Sequence, residues 1–177
     1  MHKHKHASKK SGSSGDDTKI SGPIIEQANR AVLKRVKVNR RFDVPYLAGY
    51  SEDGRTIYID CDLPKTFSDG GKRFPAHPFV ILHESVEKAL VDQLGLVYQH
   101  AHQIALRVEQ AAVRDAGASW RKYDAFMQKY IKLAEERPDL RLPPDLDLKP
   151  YRDEHDAPLL RRMRRDSRNK KHHRRSR

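Results

Sequence analysis

Three stretches of the chain carry apolar residues at intervals of three and four. Between Pro78 and Leu94, the residues Phe79, Leu82, Val86, Ala89, Leu90 and Leu94 form one stripe, and Gly95 stops the run. Between Tyr98 and Asp115, Ala101, Ile104, Ala105, Val108, Ala112 and Val113 repeat the pattern until Gly117. The third stretch, Trp120 to Glu136, carries Trp120, Tyr123, Phe126, Met127, Tyr130, Ile131 and Leu133, with Ser119 placed to cap it. Each predicts an amphipathic helix, and the aromatic stripe of the third reads most simply as core. Pro23 to Val38, with Ile24, Ile25, Ala28, Ala31, Val32 and Val36, predicts a fourth helix that starts near its proline. Tyr151 to Arg165 has only Leu159, Leu160 and Met163 to anchor a short one.

Strand patterning is confined to one place. Asp53-Gly54 is a hairpin-turn signal, and Leu47, Gly49 and Tyr50 lie on one side of it, with Thr56, Ile57, Tyr58 and Ile59 on the other. A two-stranded hairpin over 46–52 and 55–60 follows, and Pro64 ends its strand character. Residues 65–76 read as a loop around Gly70-Gly71, and the Pro-rich stretch 137–150 as an extended surface segment. The expected architecture is α+β: a β-hairpin packed on three to four helices.

Composition divides the chain further. Residues 1–22 are rich in Gly, Ser and Lys and cannot bury enough apolar surface to fold. The expected organisation is this tail, a globular part over 23–136, an extension over 137–160 and a basic tail over 161–177. His2, His4 and His6 alternate with Lys and match either a native basic tail or a purification tag. No apolar run reaches the ~18 residues that suggest a membrane span, and Met1 to Ile20 lacks a signal-peptide apolar core, so a cytoplasmic, membrane-free protein is expected. Cys61 is the single cysteine, which excludes an intrachain disulfide and a Cys-based zinc site and suits a small residue at a strand end.

The net charge of +12 points to nucleic acid until it is mapped. Residues 161–177 hold ten Lys/Arg against one Asp, and residues 1–19 hold five Lys against two Asp. Residues 20–160 balance at 21 basic and 21 acidic residues. A folded nucleic-acid reader would carry its basic face on the domain. Here only the tails could touch phosphates, loosely and without sequence preference.

Chemistry is concentrated on the first two core helices. In His83-Glu84-Ser85-Val86-Glu87, positions four apart share a face, so His83 and Glu87 project together. This is the ligand spacing of the zinc-protease motif H-E-x-x-H, with Glu87 in place of the second His and Glu84 where the general base stands. A carboxylate still ligates Zn²⁺, or a harder Mn²⁺ or Fe²⁺. On the next helix Tyr98, His102 and Glu109 lie near one stripe, and a short link at Gly95 makes the two helices antiparallel neighbours. His102 or Glu109 can then complete the set.

The competing reading is a purely structural His–Glu hydrogen-bond network. In that reading Glu84 and Glu87 complement a helix dipole, or Glu87 pairs with Arg107, while His100 faces solvent. Asp60 and Asp62 follow the strand within reach of a cation but fit turn caps better, and nothing places His77 or His155 at the site. SGSSG lacks the lysine and the preceding strand of a phosphate loop.

The segments G-Y-S-x-D-G-x-T-I-Y-I-D, L-H-E-x-V-E-K-A-L and Y-x-x-A-H-x-x-A-x-x-x-E resemble those of small bacterial and phage proteins that look like minimal zincins, over Tyr46 to Tyr130. The resemblance implies a metal site of His83, Glu87 and His102, with Glu84 as base and a strand, Ile57–Asp60, at the sheet edge beside the helix. It names no substrate. The functional expectation is a divalent-metal hydrolase, Zn²⁺ first, acting on a peptide or amide bond of a peptide or protein. Glu109 would orient a ligand histidine or serve as a fourth ligand. The alternative is a non-catalytic accessory binding protein, phage-related, whose Arg161–Arg177 tail contacts nucleic acid or an acidic partner.

Overall fold

A computed structural model describes residues 34–153, Pro158 and residues 161–163. The two tails, most of the helix expected from Pro23, most of the one expected from Tyr151 and His155 lie outside the described residues.

Three strands form the first sheet, in the order β1 (Lys37–Asn39), β3 (Thr56–Ile59), β2 (Ala48–Tyr50). The expected hairpin is β2 and β3, antiparallel with Gly49 opposite Tyr58. Its turn places Gly54 at φ 65°, and the Ser51 hydroxyl donates to Asp53 Oδ1 at 2.6 Å while accepting from Thr56 N at 3.0 Å. Two sequence expectations fail around this sheet. The helix read over 23–38 does not extend to its predicted end, because Lys37–Asn39 pairs in parallel with Thr56–Tyr58. Ile57–Asp60 also does not mark a sheet edge, since β3 is the central strand.

Residues 65–76 are not a loop either. Thr66–Asp69 (β4) and Lys72–Pro75 (β5) form a second hairpin through Gly70-Gly71, both glycines at positive φ, with Phe67 opposite Phe74. The missed signal was a two-residue glycine turn between segments that each carry one inward phenylalanine.

The helices follow their stripes. They are α1 (His77–Leu94), α2 (Tyr98–Asp115), α3 (Trp120–Glu135) and the short α4 (Lys149–Asp153). Gly95 ends α1 in the left-handed conformation, which a side chain would resist. Ser119 precedes α3 without making the side-chain cap expected of it; its amide instead donates to Asp69 Oδ2 at 2.8 Å. Ala101 and Ala105, fully buried, let α2 approach α1 closely against Val86 and Leu90. The sheet lays Leu47, Ile57 and Ile59 on Val80 of α1 and Ala134 of α3. Phe67 and Phe79 close over Val113 and Tyr123.

The segment after α3 returns to the sheet. Arg137 anchors it to Asp60, and Glu52 N donates to Asp145 O and Asp147 N to Tyr50 O, which makes a bridge between Ser51 and Leu146 along the outer side of β2. Among the described residues no helix is long and apolar enough to cross a membrane.

Candidate metal centre between the first two helices

The α1 stripe that packs on α2 contains His83 and Glu87, one turn apart, both buried. Opposite them α2 presents His102, half-buried, and Glu109, buried two turns further on. The antiparallel pairing brings three donor atoms to one point. His83 Nε2 lies 3.2 Å from His102 Nδ1 and 3.5 Å from Glu87 Oε2, and His102 Nδ1 lies 2.9 Å from Glu87 Oε2. A triangle of that size has a point about 2 Å from each corner, the bond length of Zn²⁺ to nitrogen or carboxylate oxygen. A regular tetrahedron of such bonds has edges of about 3.3 Å, so these separations are of the size that three protein ligands of one ion would show.

Glu109 does not join this group. Its Oε2 meets the other ring nitrogen of His83, Nδ1, at 2.9 Å, and its Oε1 accepts from the Tyr123 hydroxyl at 2.6 Å. Of its two expected roles, the geometry matches the carboxylate that orients a ligand imidazole, not the fourth ligand. Tyr123, read from the sequence as core, is core by its ring and polar by its tip. A tyrosine within an otherwise apolar stripe was the available signal, because a buried phenol needs a partner.

The electrostatics follow from burial among carboxylates. Burial pulls the His83 pKa down, but hydrogen bonds to Glu109 and Glu87 outweigh it and hold the value well above the ordinary one. Burial raises Glu87, and hydrogen bonds from His102 and His83 reverse that, leaving it below its usual range. Glu84, half-buried on the neighbouring face of α1, is pushed up to about 8 by burial and by the charge of Glu87. Burial, then the Glu109 charge and hydrogen bond, keep the Tyr123 phenol protonated far above its ordinary pKa. The Tyr98 ring tilts over His102 at 5.7 Å between centroids.

The remaining candidates are placed elsewhere. His77 Nε2 lies 3.3 Å from the Leu63 carbonyl oxygen, and His100 is exposed on α2. Arg107 is exposed, and Glu87 faces the two histidines rather than this arginine.

Asp60, Cys61 and Asp62 also lie close enough together to suggest a cation site. Arg137 already supplies the cation. Its guanidinium grips both oxygens of fully buried Asp60, at 2.7 and 2.8 Å, and reaches Asp43 and Asp62 at 3.1 Å each. Asp60 further accepts from Val44 N and Asp62 N, the turn-capping role expected of it. Burial and a hydrogen bond to Asp43 raise the Cys61 thiol to about 11.

Comparison with known protein families, curated proteins and solved structures gives no match, so the reading of this centre rests on its own residues.

Proposed function

We propose that this protein is a divalent-metal hydrolase with a zincin-like centre on an H-E-x-x-E helix. The observation that carries the reading is the convergence of His83 Nε2, Glu87 Oε2 and His102 Nδ1 at separations of 2.9 to 3.5 Å. Three ligands are the set that leaves a coordination position open for chemistry. Zn²⁺ is the first candidate, and Mn²⁺ or Fe²⁺ suit the same donors.

A divalent ion held there would supply Lewis acidity and acidify a coordinated water, to a pKa of ~7 for Zn²⁺. His83, Glu87 and His102 would hold the ion. Glu84 stands next to His83, where the general base of H-E-x-x-H stands, and would be the group to take a proton from water at the loaded centre. A nearby dication would draw its pKa below the value of about 8, so Glu84 would ionise when the centre is loaded. The substrate class proposed is a peptide or amide carbonyl.

The second reading is the structural network, favoured by one fact: each separation within the trio also fits, or nearly fits, a hydrogen bond, as His102 Nδ1 does to Glu87 at 2.9 Å. The deciding experiment is elemental analysis of protein carrying H2A/H4A/H6A, beside the same chain with H83A/H102A. Stoichiometric metal lost in the double variant supports the hydrolase centre, and amide hydrolysis that E84Q abolishes extends it to catalysis. Equally negligible metal in both leaves the structural network as the better account.

A further inference from the structure

We propose that Tyr123 and Glu109 are positioning residues that fix the ring state of His83, so that helix α3 sets how tightly the centre holds its ion. The inference rests on the metal-site reading above and adds to it a control element on a third helix.

The Tyr123 hydroxyl is a donor towards Glu109 Oε1 at 2.6 Å, and Glu109 Oε2 faces His83 Nδ1 at 2.9 Å. A carboxylate only accepts, so Nδ1 must carry the proton of that contact. In the neutral ring Nε2 is then a bare lone pair, and Nε2 is the nitrogen that faces Glu87 and His102. All three members of the relay are buried: Tyr123 is 1%, Glu109 5% and His83 7% exposed. Water therefore cannot readily substitute for a lost partner.

The far end of the relay is rigid as well. The Tyr123 ring packs at 5.2 Å from Phe67, 5.6 Å from Phe79 and 5.5 Å from Trp120, centroid to centroid. Its hydroxyl can hardly leave Glu109 without repacking that aromatic group. Partners of this kind behind a metal-bound histidine typically change affinity by about 10–100-fold.

The test uses the full chain carrying H2A/H4A/H6A. Zinc affinity is measured by competition with a chromophoric chelator for this parent, Y123F, E109Q and E109D, with circular dichroism confirming that each is folded. Weakening of about 10–100-fold is expected in Y123F. E109Q should be weaker still, because an amide donor favours the wrong tautomer, and E109D should recover part of the loss. Once pH exceeds the elevated pKa of His83 and the ring is neutral, its ¹⁵N shifts in the metal-free parent should report a proton on Nδ1, a readout that needs neither metal nor a variant. Parent-like zinc affinity in both Y123F and E109Q overturns the relay, as does an Nε2–H ring in the parent. A parent with an Nδ1–H ring that takes up no zinc overturns the metal-site reading and the control of affinity with it.

Discussion

Two clusters among the described residues each centre on buried carboxylates, and they are built differently. At the sheet, Asp43, Asp60 and Asp62 surround Arg137, a cation that belongs to the chain and cannot leave. Between α1 and α2, Glu87 and Glu109 face His83 and His102, whose charge depends on a proton. The first cluster is complete as folded. The second holds its charge balance only through protons or a bound dication, which makes it responsive to its surroundings.

The contrast breaks most visibly at Arg137. R137A would strand Asp60 at 0% exposure; removing one partner of a buried pair costs about 3–5 kcal/mol. Urea unfolding should show a loss of that order, and a change under about 1 kcal/mol would mean the sheet cluster is not complete in the sense argued. The helix cluster should respond to metal instead. Zinc at a hundredfold excess over its Kd should stabilise the H2A/H4A/H6A chain by ~2.7 kcal/mol. The H83A/H102A variant should show none of this, read as Tm with and without zinc.

Protons sharpen the comparison. In metal-free protein, Glu84 rises from its ordinary value of 4.5 to about 8, so the stability tied to its neutral form is complete below 4.5 and lost as pH rises through 8. His83, also raised, contributes fully below 6.5 and loses that contribution as pH climbs past its elevated value. Glu87, lowered, contributes above 4.5 and loses it in acid. The metal-free chain should therefore be most stable in mild acid and melt progressively earlier from pH 6 to 9. Zinc should oppose that decline, and E84Q should flatten part of it; a Tm that rises from pH 6 to 9 without metal would contradict the assignment. The smallest effect concerns Cys61, whose thiol at about 11 should be alkylated slowly at pH 8 and faster as pH approaches 11. Iodoacetamide kinetics followed by mass would show it.

The sequence carried the helices because each has a stripe long enough to define a period, as Phe79 to Leu94 does. It hid β1, since Lys37-Val38-Asn39 has no alternation and forms only because β3 lies beside it. It hid the second hairpin because Phe67 is the only apolar residue in β4. The centre was readable where spacing along one helix decides, at His83 and Glu87, and in the choice of His102 across a short link. What spacing could not tell was which face of His83 Glu109 would meet, because seven residues along α2 say nothing of the rotation of α1. Tyr123 was hidden for a related reason: its ring satisfies the core pattern, and only coordinates reveal where its oxygen ends.

The bridge between Ser51 and Leu146 has one more consequence. Strand β2 ends the first sheet on one side, and a bare strand there would offer its amides and carbonyls to another copy of the same chain. The returning segment occupies part of that border with its own backbone and is clamped at its root by Arg137. Loosening this seam would therefore do more than soften the fold: it would open a template for strand-by-strand stacking, so that weakened variants should clump before they fully unravel.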